Sequence, residues 1–309
     1  MTSVEHAMPH GVSRLKIVLI ESLKSWVDHR ASSKGAALAF YTLFSMTPIL
    51  VLAIAVAGYV FGAKAAQGEI VAQVQGLVGQ NGAQVIQTLL ASARDPASGL
   101  VATLVASVLL LLGTTSVFVE LKESLDEMWG IAKPGQSAFR VLLRTRLLSF
   151  GMVLVLALLL LASLIVSAVL AMLEYHADWV LGGYATVLAI SSSFISFGVI
   201  ACMFAIIYKT LPDAPLSWRD VWVGAVFTAG LFSLGKYAIG LYMRNSGVAS
   251  SFGAAGSLIA LLLWVYYSAQ IFFLGAEFTR HYALWFGSLQ NDRLRLEEMN
   301  RLAAPPVAE

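Results

Sequence analysis

The chain has 309 residues, 58% hydrophobic and only 12% charged, with a mean hydropathy of +0.78, whereas soluble domains average about 45–50% apolar and about 25% charged. That composition excludes an ordinary water-soluble fold, and a net charge of +2 gives no reason to expect a nucleic-acid partner. The lone Cys202 excludes an internal disulfide and reads as a helix-packing residue.

The first 35 residues carry charges throughout and lack an apolar core ending in a small-residue cleavage site, so the first span is expected to act as the targeting element. Between Arg14 and Val27, the residues Leu15, Val18, Leu19, Leu23, Trp26 and Val27 gather on one side of a helix. That pattern predicts an amphipathic helix lying flat at the cytoplasmic interface, a plain docking helix being the alternative.

Six apolar stretches are long enough to cover a hydrocarbon core that takes roughly 20 helical residues to cross. They fall at about 36–61, 100–119, 147–173, 184–208, 221–242 and 255–278. The first carries Tyr41, Thr42, Ser45 and Thr47 before Pro48, which removes one backbone donor and predicts a kink that serves either packing or a substrate path. Residues 63–97 repeat apolar positions at helical spacing, including Ile70, Val74, Val85 and Ile86, and predict two short amphipathic helices around a turn at Gly79–Gly82. After the second span, Glu120 to Ile131 reads as a charged cytoplasmic helix in which Lys122 and Asp126 form a helical ion pair. A proline-rich turn over 211–220 separates the fourth span from the fifth.

Counting lysine and arginine by loop orients the bundle. Sixteen lie on the side that holds both termini, whereas the other side holds only Lys64, Arg94 and Arg244. The expected architecture is therefore an all-α membrane protein: an interfacial segment 1–35, a six-helix transmembrane domain 36–282 and a tail 283–309, both termini in the cytoplasm.

In the sixth span Tyr266, Gln270 and Glu277 stand four and seven residues apart, so they share one helical face that lipid would solvate poorly. Gly253, Gly256 and Gly275 are the glycines expected to let neighbouring helices approach. Lys236 is the one cation deep within a span, and it either lines a cavity that attracts an anionic group or snorkels to the headgroups. Glu277 either faces inward or pairs locally with Arg280 or His281. Gly230 to Tyr237 has phosphate-loop spacing up to its lysine, but Tyr237 stands where Ser or Thr is required. The five histidines show no metal-ligand spacing, so no catalytic residue, metal or cofactor is expected.

Four segments in order, KGAALAFYTLFSMTPIL, ELKESLDEMWGI, TLPDAPLSWRDVWVGA and LYMRNSGVASSFGAAGSLIALLLWVYYSAQIFFLGAEFT, resemble the YihY/BrkB family over about residues 20–285. The resemblance implies a bacterial inner-membrane protein of six helices with both termini inside. It also brings an older ribonuclease BN label, which the residues do not support, since metal-dependent RNA cleavage needs clustered His and Asp ligands. The function expected is a transporter or lipid-handling protein. An anionic lipid or other amphipathic substrate would be held near Pro48, Tyr41, Lys236, Tyr266, Gln270 and Glu277. A scaffold that binds envelope proteins is the alternative, and in either case the bilayer itself is the first partner.

Overall fold

In a computed structural model of the protein, the described residues are 11–62, single positions between 64 and 87, 116–131, positions 151, 155 and 158, 185–245, 256–291 and 294. Most of the predicted second and third spans, together with Gly253, lie outside the described residues. Every regular element among those described is a helix: α1 (Gly11–Asp28), α2 (Ala31–Phe61), α3 (residues 116–128), α4 (Ala185–Thr210), α5 (Trp218–Asn245) and α6 (Gly256–Phe286). Among the described residues, three stretches are long and apolar enough to cross a membrane, Ser193–Thr210 in α4, Trp218–Ile239 in α5 and Leu258–Phe286 in α6.

Local chemistry accounts for where these helices stop. Arg30, in the left-handed region at φ 51°, breaks α1 from α2. Gly130, at φ 68°, ends α3: its N–H bonds Glu127 O while the Ile131 N–H reaches back to Asp126 O at 2.8 Å, the paired bonds of a glycine C-cap. Between α4 and α5, Pro212 and Pro215 interrupt the backbone, and Ser217 caps α5 by accepting the Asp220 N–H on its hydroxyl. α2 runs as one helix through Pro48.

The bundle is assembled around α6, which packs against α5, α2 and α1. α5 and α6 are antiparallel and interlock through two reciprocal Gly–Thr steps. A methyl group added at Gly224 would overlap Thr279, and one added at Gly275 would overlap Thr228. Each threonine hydroxyl bonds the carbonyl of the glycine four residues before it on its own helix, at 2.7 Å in both cases. The notches thus admit side chains whose polar atoms are already satisfied, which lets apolar helices close without stranding a donor. α4 adds Tyr208, fully buried, whose hydroxyl donates to Phe272 O at 2.7 Å and lies 3.2 Å from Thr228 Oγ1.

At the loop end of α2, Val71, Ala83 and Ile86 are buried against Leu50 and Ile54, and the described positions between 64 and 87 are helical. α1 differs from the expectation for a flat interfacial helix, because it runs antiparallel along the last turns of α6. Its inward face is Val18, Ser22, Ser25 and Trp26, while Leu15, Leu19, Leu23 and Val27 are exposed. Apolar periodicity located a stripe on α1, but the docked face is the more polar one beside it, since that face supplies partners for the polar groups of α6.

Candidate functional site

Glu21, Ser25 and His29 recur every four residues and so form one row of the α1 side; Glu277, His281 and Trp285 form the matching row of α6. Because the helices are antiparallel, the rows meet rung by rung. His29 Nδ1–H donates to Glu277 Oε1 at 2.6 Å, Ser25 Oγ lies 2.9 Å from His281 Nε2, and Trp285 Nε1–H donates to Glu21 Oε2 at 2.6 Å. His281 also sits between the two carboxylates, with Nε2 4.0 Å from Glu277 Oε2 and Nδ1 3.4 Å from Glu21 Oε2.

Burial decides the character of this seam. The Glu277 side chain is 0% exposed, whereas His29 is 29% and Glu21 39% exposed. Glu277 Oε2 is buried and meets no hydrogen-bond partner among the described residues, and the same holds for His281 Nδ1. A buried carboxylate needs its oxygens paired to offset desolvation, and here one of the two is unpaired among the described residues. Arg280 does not pair with it, because its guanidinium reaches across to the Met128 carbonyl of α3. Trp129 of the same α3 terminus donates to Ala276 O at 3.3 Å and closes the seam from that side.

The seam continues along α6 to Gln270, two turns away, where a methyl group on Gly35 of α2 would overlap the amide nitrogen. Both amide atoms of Gln270 are buried without a hydrogen-bond partner among the described residues. Gln270 and Glu277 therefore lie on the side of α6 that faces α1 and α2, with Tyr266 half-buried one turn beyond. Lys236 lies elsewhere: it is exposed on α5, and its neighbour Gly235 is the residue that abuts Tyr267 and Ile271 of α6. Tyr41 is 40% exposed on α2, its ring 6.1 Å from that of Phe40. Pro48 lies within α2, Gly256 is buried at the start of α6, and Gly275 stands against Thr228 and Tyr208. Sequence reasoning named His281 as a local partner of Glu277, and its Nε2 does lie 4.0 Å from Glu277 Oε2, but it missed His29, Ser25 and Glu21 as parts of the site. The available signal was the shared four-residue spacing of polar groups in two segments at opposite ends of the chain.

A second polar feature is an open cleft of about 400 Å³ lined by Lys64, Gln67, Gly68, Val71 and Gln87. It is beside the part of α2 that holds Leu50, some 19 residues and about 28 Å along that helix from Ala31 near His29, and so is separate from the seam.

Apolar helices of membrane length, gathered round one that carries a buried carboxylate, define an integral membrane protein. The chain belongs to the Virulence factor BrkB family, whose model matches residues 22–294. It is 29% identical over 257 residues to a UPF0761 membrane protein of Pseudomonas aeruginosa, covering 81% of this chain and 59% of that one. Similar proteins occur in Verminephrobacter eiseniae, 28% identical with 80% of this chain and 57% of the relative covered, and in Ralstonia nicotianae, 29% identical with 86% and 58% covered. The chain thus spans a little under six-tenths of the length of these relatives. No solved structure matches it.

Proposed function

We propose that the protein is a six-span inner-membrane protein, both termini cytoplasmic, that moves an amphipathic substrate with an anionic headgroup within or across the bilayer, without catalysis. The observation that carries the reading is Glu277, fully buried and with one oxygen lacking a hydrogen bond among the described residues, in a helix otherwise apolar enough to span. Glu277 lies one residue inside the expected inner end of the sixth span and is fully buried against α1. A buried ionisable group is costly and is kept where it serves a pathway or a partner. Lys236, exposed on α5, supports the reading, since a cation on the outer surface of the bundle attracts an anionic headgroup from the lipid side.

Reconstituting the purified chain with a fluorescent phosphatidylglycerol analogue tests this. Translocation above protein-free vesicles is expected, slowed about tenfold by Glu277→Gln and by Lys236→Ala, the effect of about 1.4 kcal/mol in the limiting step. Equal rates in wild type and both variants would sink the reading. The alternative of an envelope scaffold draws support from the exposed Leu15, Leu19, Leu23 and Val27 stripe of α1. It predicts that Leu19→Glu with Leu23→Glu abolishes co-purification of partners while lipid movement persists.

A further inference from the structure

The seam between α1 and α6 holds more titratable groups than packing requires, and their order is directional. Glu21 is partly exposed, Glu277 is fully buried, and His281 lies between them with a different ring nitrogen turned to each. Imidazole is the side chain able to accept at one nitrogen and donate from the other. The two gaps, 3.4 and 4.0 Å, exceed hydrogen-bond contact by no more than about 1 Å, within reach of a small ring rotation. Two of the atoms that would take part, Glu277 Oε2 and His281 Nδ1, are buried and without hydrogen bonds among the described residues. Meanwhile Glu277 Oε1 is held by His29 and His281 Nε2 lies beside Ser25 Oγ, which orients both side chains.

We propose that Glu277 is a proton-binding site that exchanges with water through His281 and Glu21. In the inward step the Glu21 carboxyl O–H breaks as its proton bonds His281 Nδ1, and the Nε2–H of the same ring breaks as its proton bonds Glu277 Oε2. Glu21 is left ionised, the ring neutral in the other tautomer and Glu277 uncharged; rotation of the ring or exchange with water restores the first tautomer. The charged and titratable groups facing Glu277 are His29 from the α1–α2 junction and Arg280 and His281 from α6. Of these, Arg280 is engaged by the α3 carbonyl of Met128. On the α5 side, Asp220 is occupied by Ser288, accepting its N–H at 2.9 Å and its hydroxyl at 2.7 Å. Farther out, Lys34 and Glu127 pair with each other at 2.7 Å. The assignment deepens the transport reading by naming what would drive it, and it is measured without any substrate.

The full-length protein in lipid is titrated by infrared difference spectroscopy, and the rate of carboxyl protonation is followed after a rapid pH jump. A titrating buried-carboxyl band is expected that disappears in Glu277→Gln. His281→Gln and Glu21→Gln should keep that band but slow its appearance about a hundredfold, the lower end of what a positioned proton carrier contributes. Glu277→Asp shifts the band rather than removing it, so the assignment survives if the glutamine variant does not fold. A spectrum with no titrating buried carboxyl, or unchanged rates in both relay variants, overturns the proposal. Flux lost in Glu277→Gln with no titrating band would leave the transport reading standing and remove the proton from it. A titrating band without flux would do the reverse.

Discussion

The interlock of α5 and α6 makes a sharp quantitative prediction at Gly275. A Cβ added there would stand 2.6 Å from the Tyr208 hydroxyl and overlap Thr228, both on fully buried side chains that cannot swing into solvent. Overpacking of a closed contact costs about 1–3 kcal/mol. Displacing Tyr208 from its 2.7 Å bond to Phe272 O adds about 0.5–1.5 kcal/mol. Against this, alanine in place of glycine favours the helix by about 1 kcal/mol. The net expectation for Gly275→Ala is a loss of about 1–3 kcal/mol in stability. Gly230 on α5 is the internal control, since nothing lies within 4 Å of a methyl group there, and Gly230→Ala should be neutral or stabilising by up to about 1 kcal/mol. Denaturation of the detergent-solubilised protein, followed by circular dichroism, ranks the two, and Thr228→Ala should relieve much of the Gly275→Ala defect by vacating the notch. Equal stability of the two glycine variants, or no rescue by Thr228→Ala, would refute the interlock.

Two further outcomes follow from α3. Lys122 Nζ donates to Asp126 at 3.0 Å, to Asp213 at 2.9 Å and to Leu211 O at 3.2 Å, pinning the α4–α5 turn to α3. Lys122→Met leaves the two carboxylates facing each other, and because Asp213 is 45% exposed the loss should be about 1–3 kcal/mol rather than a fully buried value. Limited proteolysis within 211–217 should accelerate accordingly. Glu120, outside the candidate spans, is pushed above the usual carboxylate range by burial, then by repulsion from Glu123 and Glu127, with Lys34 partly offsetting. A raised folded-state value means the group's favourable contribution is present below about pH 4.5 and fades as pH rises through that higher value. Glu120→Gln should therefore leave acid stability unchanged and raise stability near neutrality, read from thermal melts at the two pH values.

Several elements are legible in the amino-acid sequence alone. The apolar runs around Ser193–Thr210, Trp218–Ile239 and Leu258–Phe286 read as spans because hydrophobic length is a local property that each segment satisfies by itself. The Lys122–Asp126 pair is legible for the same reason, being four residues apart on one helix, and so is the shared face of Gln270 and Glu277. The partner of that face is not. The local alternatives for Glu277 are Arg280 and His281, yet the hydrogen bond goes to His29, 248 residues away. The role of Asp126 is only half legible, since its second partner, the backbone N–H of Asp213 at 3.2 Å, lies across the fold.

Composition and periodicity thus determined that the chain enters a membrane as helices and which residues of its last span lipid would solvate poorly. Only the tertiary structure decided that Lys236 turns outward, that Thr228 and Thr279 fill the glycine notches, and that α1 lays its polar row rather than its leucines against α6. The reason is that an apolar helix is acceptable to lipid on every side, so hydrophobicity does not choose its neighbours. That choice falls to close backbone approach and to the pairing of a few buried polar groups, which depend on residues far apart in the chain.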